Sequence, residues 1–473
     1  MLISHSVLYI VARIGAGVIS IATTALLTRL LDPTRYGVYG VILAIMTFGS
    51  AIVFDWQGIT VIRFVQSRRD DPAVRTTVVI IYLLLLAFIA SLGEAAYLVG
   101  LVPPHAGGLV AAGIFVVGTY AWCEIAAQFE VANLRPTRYL TIYSARSVLT
   151  FTGAVGAAWV TRDPLMVALG SGTGMVLATS FGTLIRVRLR FSLFDRALAR
   201  QMLNFGAPLA LSLSFSSMNL AGSRFILASL GSIDGLGYFT AASNLVIVTL
   251  SVITGGLESA TYSFAVKTME TGDRAATRAQ LAQNFTLILA VLAPTAIGMA
   301  LTAQGIAHTL VGHRFSAVVA TLIPVLALGS LFGCIRTSYL DKAFQLGNKP
   351  SKQIAVMATA AFVSICGSWF LVPIYGPLGA AVAVVSAQLI SCVHCRWAAR
   401  DAYPLPLPFA AIWRVGASCA VMALIVKSVP GTGAVLLAAQ VVLGGGSYCL
   451  MALASNLLEI RTKILRRLSR RPS

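Results

Sequence analysis

Val78-Val79-Ile80-Ile81-Tyr82-Leu83-Leu84-Leu85-Leu86-Ala87-Phe88-Ile89-Ala90 runs thirteen residues without a charge, and Tyr82 alone carries a polar side-chain atom. With its flanks, the apolar stretch covers about 76–101, longer than the roughly 20 residues a helix needs to cross 30 Å of hydrocarbon. The run does not alternate, so it does not fit a transmembrane β-strand of about ten residues with one lumenal face. In lipid every backbone N–H and C=O must be satisfied within the segment, so the stretch reads as a membrane-spanning helix.

Working outward, thirteen more segments have a similar character. The fourteen lie near 5–30, 37–59, 76–101, 108–130, 142–160, 165–185, 204–229, 237–257, 282–303, 315–334, 353–372, 378–396, 409–428 and 434–456. The composition agrees: 58% of the 473 residues are hydrophobic, only 11% are charged, and mean hydropathy is +0.85. A soluble domain carries about 25% charged residues. The first segment begins almost at the N-terminus, with no cationic leader before it and no cleavage site after it, and is expected to be a retained span.

A net charge of +19 invites a nucleic-acid reading, but the placement of the basic residues points to lipid headgroups and to no nucleic-acid partner. With the N-terminus inside, 28 Lys or Arg fall to the cytoplasmic face, among them Arg63, Arg68, Arg69, Arg135, Arg146, Arg186, Arg188 and Arg336 and six in the tail Arg461–Arg471. Five fall outside: Arg29, Arg35, Arg162, Arg314 and Lys427. That imbalance predicts an even number of spans with both termini cytoplasmic. The short outer links, such as Pro103-Pro104-His105-Ala106-Gly107-Gly108, leave no room for an extramembrane catalytic domain.

Two pairs of segments echo one another. Leu31-Asp32-Pro33-Thr34-Arg35-Tyr36-Gly37-Val38-Tyr39 matches Gly231-Ser232-Ile233-Asp234-Gly235-Leu236-Gly237-Tyr238-Phe239, with Gly37 opposite Gly237. Phe129 to Pro136 likewise echoes Phe344 to Pro350. Six spans separate the members of each pair, which predicts parallel halves. The expected divisions are a six-helix lobe over 1–203, a second over 204–400, and two added helices with the basic tail over 401–473.

Thr28 to Tyr39, together with Val61-Ile62-Arg63-Phe64 and Ser67-Arg68-Arg69-Asp70-Asp71, resembles the bacterial polysaccharide-biosynthesis flippases. These belong to the multidrug/oligosaccharidyl-lipid/polysaccharide exporter superfamily. The resemblance implies two six-helix lobes around a central cavity, two further helices, and a substrate built as an oligosaccharide on a polyprenyl pyrophosphate. It also implies an inner-membrane transporter for exopolysaccharide, capsule or O-antigen synthesis, working beside a polysaccharide polymerase and export machinery. Asp32-Pro33 stands where members commonly have Gly-Pro, and Asp55-Trp56-Gln57-Gly58 departs from their Asp-Leu-Gly. Both departures leave the glycan undetermined.

Within the spans, charged residues are the candidates for function, because a charge in hydrocarbon is costly unless it is paired or wetted. Arg13 and Arg224 lie on the first helix of each expected lobe, and Arg29 near the outer end of the first span. Arginine keeps its charge and offers five donors, which suits a pyrophosphate headgroup; snorkelling or an interhelical pair is the plainer role. Glu94 and Glu124 are candidates for a counter-ion or a coupling site, while Asp55 is read as interfacial. Ser212, Ser216 and Asn219 share one helical face and suit either glycan contacts or interhelical hydrogen bonds.

Gly170-Ser171-Gly172-Thr173-Gly174 lacks the Lys-Ser/Thr of a phosphate loop and reads with Gly153 as close packing or a flexible hinge. Pro208, Pro294 and Pro324 mark bends. Cys392, His394 and Cys395 have no second cluster and read as structural.

The expectation is an all-α polytopic membrane protein of fourteen helices, or twelve if two segments are interfacial, a transporter rather than an enzyme, without a cofactor or a metal and with proton or sodium coupling left open. The competing readings are a cation-coupled multidrug exporter, a membrane glycosyltransferase or polysaccharide polymerase, and a structural assembly partner.

Overall fold

Aspartate followed by proline opens three of the long helices. In the computed structural model, Asp32 accepts a hydrogen bond from the Arg35 backbone N–H at 2.9 Å, with Pro33 the first helical residue. Asp71 does the same for Ala73 at 2.8 Å and Asp163 for Leu165 at 2.9 Å, each followed by proline. The carboxylate satisfies one of the amides that a helix start leaves unpaired, and proline gives up one that has no partner there anyway. Each such cap contributes about 1 kcal/mol.

The structure describes residues 2–68, 71–184, 190–270, 274–347, 349–403 and 405–457. The basic tail Arg461–Arg471 and the loop residues Arg69, Arg186 and Arg188 lie outside them. In chain order the helices are α1 (Leu2–Leu30), α2 (Pro33–Val53), α3 (Asp55–Ser67), α4 (Pro72–Leu98), α5 (Gly107–Ala132), α6 (Pro136–Thr161), α7 (Pro164–Ala178) and α8 (Arg196–Leu230). They continue as α9 (Ile233–Glu270), α10 (Arg274–Leu301), α11 (Ala303–Leu310), α12 (His313–Ile335), α13 (Lys342–Leu346), α14 (Pro350–Tyr375), α15 (Pro377–Ala399), α16 (Phe409–Lys427) and α17 (Ala434–Ala454).

Thirteen of the fourteen apolar segments each centre on one of these helices, while 37–59 crosses from α2 into α3 with the break at Phe54. Among the described residues, twelve spans are long and apolar enough to cross a membrane. The other two segments lie on α6 and α8, whose 26 and 35 residues provide the length but carry more polar groups. The chain is thus an all-α polytopic membrane protein, and its two most polar long helices carry several of the candidate site residues.

Two compact units divide the chain: Met1–Thr240 with Ser364–Ala380, and Ala241–Val363 with Ala381–Ser473. In the first unit, Phe54, Trp56, Val61, Val78, Ile81, Ile125, Phe129, Leu198 and Met202 form a core shared by α3, α4, α5 and α8. Gln57 is fully buried and donates to the Val78 carbonyl at 2.7 Å, which ties α3 to α4. Gly153 and Gly170 lie backbone to backbone, so a side chain on either would strike the other's carbonyl. The glycine run is therefore a packing device for α6 against α7, as its sequence suggests.

The echoed glycines also meet. A methyl on Gly37 would run into the Ile233 carbonyl, and one on Gly237 into the Pro33 carbonyl. Each glycine thus faces the residue four positions before the other, a reciprocal contact of the kind a two-fold axis produces. Thr34 donates to the Asp234 carboxylate across the same crossing.

In the second unit, a π-helical turn at Arg336–Leu340 links α12 to α13. Arg336 donates to Asp341 at 3.2 Å, with both side chains nearly fully buried, and the Cys395 thiol donates to Asp341 at 3.4 Å. Cys392 donates to the Phe332 carbonyl, and His394 bonds Thr359. The Cys-His-Cys trio therefore turns to three different partners.

Arg146 and Arg336 correct the assignment of basic residues. Both count among the 28 residues assigned to the cytoplasmic face, although the segment 142–160 already contains Arg146; Arg146 lies well inside α6 and Arg336 in the buried turn. Each is held there by an acid, so neither contributes to the charge of a loop. Without them, 26 of the 28 basic residues expected on one face remain, against five on the other.

Candidate functional site

The loop 133–135 joins α5 to α6 as a tight antiparallel hairpin, and Asn133 Nδ2 donates back to the Phe129 carbonyl at 2.7 Å to finish the last turn of α5. Residues equally far from such a turn face each other. Glu124 on α5 and Arg146 on α6 lie about ten residues from it, or roughly 15 Å along the helices. That is near the middle of a 30 Å hydrocarbon layer. There they form an ion pair, Arg146 Nη1 donating to Glu124 Oε1. The side chains keep 19% and 28% exposure, so the pair borders open space rather than sealed core.

Aromatic rings frame the pair. The Arg146 guanidinium lies 5.0 Å from the centroid of Tyr143 and 5.9 Å from that of Tyr120. Tyr139 stacks on Tyr143 with centroids 5.9 Å apart and 21° between the rings. A guanidinium over aromatic faces gains attraction from the ring quadrupoles, and more so away from water. Arg13 is exposed on α1 and within electrostatic reach of Tyr139, as α1 packs along α6. Arg13, Tyr139, Tyr143, Arg146, Glu124 and Tyr120 thus make a polar chain within the span region.

On its other side Glu124 lines a cavity of about 260 Å³ with Asp55, Gly58, Tyr120, Gln128 and Leu213. Its walls come from α3, α5 and α8. Asp55 is close enough for its carboxylate to interact with Glu124. Of the two carboxylates, Glu124 is paired directly by Arg146, and Asp55 forms no ion pair among the described residues.

The remaining candidates are distributed elsewhere. Arg224 is 3% exposed, packed near Tyr36 on the inner side of α8. Arg29 is exposed in the last turn of α1, where a cation favours the negative end of the helix dipole. Glu94 is exposed near the loop end of α4 and takes part in no ion pair among the described residues.

The α8 stripe changes character along its length. Ser216 is exposed, Ser212 half-buried and Asn219 buried. The Asn219 carbonyl accepts from Ser364 at 2.6 Å, and Ser223 bonds both Ser364 and Ser368 at 2.9 Å. The deep end of the stripe therefore fastens α14 to α8, while Ser212 and Ser216 remain at more open positions.

Sequence reasoning found Glu124 and missed its partner. It also missed Asp55 as a neighbour of Glu124, and the tyrosine frame. The available signal was the near-equal distance of Glu124 and Arg146 from the Asn133–Arg135 turn, which makes them face each other in an antiparallel hairpin.

Comparison with known proteins bears on the whole arrangement. The model of a family described as polysaccharide biosynthesis protein matches residues 26–320. No curated protein matches in sequence. Among solved structures, one described as lipid II flippase MurJ in an inward closed conformation is similar with a TM-score of 0.77 and 11% identity, over 96% of this chain and 99% of that one. A structure described as MATE in the bent conformation is similar with a TM-score of 0.51 and 12% identity, over 88% of this chain and 96% of that one.

Proposed function

The chain belongs to the polysaccharide biosynthesis protein family, and on that premise we propose that it moves a polyprenyl-pyrophosphate-linked oligosaccharide across the bacterial cytoplasmic membrane by alternating access. The observation that carries the reading is the likeness, over nearly the full length of both chains, to a protein described as a lipid II flippase. Lipid II shares the essential chemistry: sugars on a pyrophosphate carried by a polyprenyl chain. The substrate serves exopolysaccharide, capsule or O-antigen synthesis, beside a polymerase and export machinery.

In this reading α6 and α8 also cross the membrane, which gives fourteen spans with both termini cytoplasmic. Two lobes, 1–203 and 204–400, are related by duplication, and 401–473 supplies two further helices and a basic tail. The reciprocal Gly37–Gly237 contact supports the duplication, since equivalent residues meet in equivalent ways. Polar residues on α6 and α8 are economical only where a helix faces water or another helix.

Arg13, Arg29 and Arg224 meet the pyrophosphate at successive stages. Arg224 is buried in this conformation, so it becomes reachable as the lobes rearrange. Ser212 and Ser216 offer hydroxyls to the glycan, and Asn219 anchors the helix that presents them. The carboxylates Asp55 and Glu124 are the place where a proton or sodium ion couples to the cycle, because Arg146 neutralises only one of them.

The test is reconstitution. Purified protein in liposomes should move a fluorescent polyprenyl-pyrophosphate oligosaccharide between leaflets faster than protein-free vesicles. Removing the charge at Arg13 and Arg224 should slow that movement without loss of folded protein. Folded protein that moves no such lipid, or unchanged flux in the double variant, would refute the transport reading or the arginine roles respectively. A cation-coupled drug exporter would instead show pH-dependent efflux of cationic dyes through the Asp55–Glu124 cavity.

A further inference from the structure

Away from the charged cluster, α4 and α5 part near their connecting loop around a cleft of about 560 Å³. Its walls include Ala90, Tyr97, Val110, Ile114 and Phe115, and one carboxylate, Glu94, is set among them. Gly93 and Gly107 keep it open by letting Ile114 and the Tyr97 ring lie directly against backbone. The surface around it is apolar and outward-facing: Leu84, Phe88, Leu92 and Leu98 are each more than half exposed. In a membrane protein such a surface meets acyl chains.

Glu94 stands four residues before the last residue of α4, or about 6 Å along the axis. That places the carboxylate at the depth where lipid headgroups begin. No Lys or Arg occurs between Arg75 and Arg135, and Glu94 has no ion pair among the described residues. A carboxylate beside an apolar, lipid-facing cleft is complementary to a cation that brings its own hydrocarbon.

We propose that this cleft is a binding site for a phospholipid whose headgroup ends in a primary ammonium, of the phosphatidylethanolamine type. The ammonium donates to Glu94, and one acyl chain lies along Val110, Ile114 and Phe115. An anionic phosphatidylglycerol has no cation to offer and places its phosphate near the carboxylate. The site is separate from the transported substrate, and its occupancy does not depend on what the protein carries.

Native mass spectrometry of the purified full-length protein reads the lipid adducts directly, with phosphatidylethanolamine and phosphatidylglycerol supplied at equal concentration. The intact protein should retain phosphatidylethanolamine preferentially. Glu94→Gln, nearly isosteric, should lower that adduct about fivefold and leave phosphatidylglycerol unchanged. Ala111→Phe, which fills the cleft without touching the charge, should lower it as well. Equal retention of the two lipids by the intact protein, or an unchanged phosphatidylethanolamine adduct in Glu94→Gln, would overturn the assignment.

Discussion

Alanine at Gly37 would place a methyl carbon 2.9 Å from the Ile233 carbonyl carbon and closer still to its oxygen. At Gly237 the methyl would stand 3.0 Å from the Pro33 carbonyl carbon and 3.2 Å from the Gly37 nitrogen. Ordinary contact begins at 3.4 Å, so at Gly37 the carbonyl carbon alone demands a separation of about 0.5 Å. The obstacles are backbone, so no side chain can swing aside and the starts of α2 and α9 must move apart. Overpacking of this kind costs about 1–3 kcal/mol, and a backbone obstacle places each single substitution near the upper end. Separation also stretches the Thr34–Asp234 hydrogen bond. Because one gap accommodates both methyls, the double variant should lose clearly less than the sum, with a coupling of at least about 1 kcal/mol. Unfolding in mixed micelles titrated with a denaturing detergent measures these values. Gly298→Ala, whose methyl meets nothing within 4 Å, is the control and should be neutral or slightly stabilising. Single variants as stable as that control, or a strictly additive double, would refute the reciprocal crossing.

Three further outcomes follow from the charged groups. Glu124→Gln should reduce both thermal stability in detergent and lipid translocation, because it leaves Arg146 unpaired in the span region. Adding Arg146→Gln should recover stability but not translocation; recovery of both would assign the pair a purely structural role. Asp341→Asn should cost about 3–5 kcal/mol, read by the same micelle titration, because it leaves the buried Arg336 guanidinium without its counter-charge. At the start of α8, the Leu198 N–H and then Arg68 hold the Asp195 carboxyl below the usual aspartate range. Its folded pKa is depressed, so its contribution is present at neutral pH and lost as pH falls through that lowered value. Melting temperatures across pH 3–6, a window set by ordinary carboxylate titration, should therefore fall less steeply for Asp195→Asn than for the unaltered protein.

Membership of the polysaccharide biosynthesis family and the membrane fold were both open to reading before any coordinates. The Thr28–Tyr39 link carried the first, and runs such as Val78–Ala90 the second. The site was only half legible. Glu124 stands out as an acid in an apolar run. Arg146, by contrast, follows closely on Arg135 and Arg138, and the count of basic residues groups it with them although the apolar segment 142–160 contains it. Pro136 after Arg135 places the start of α6 early enough to carry Arg146 into the span. Asp32, Asp71 and Asp163, each before proline, give the same kind of signal for α2, α4 and α7.

The membrane-spanning character of the apolar segments and their approximate boundaries depend on the transfer of single segments between water and hydrocarbon. That free energy is nearly a sum over neighbouring residues, so the linear order of the chain suffices to determine it. Which acid meets which base depends on how separate helices rotate and slide against one another. Glu124 with Arg146 and the shared gap of Gly37 and Gly237 were decided there. Those rotations are set by contacts between residues distant in the chain, which only the folded arrangement brings within reach.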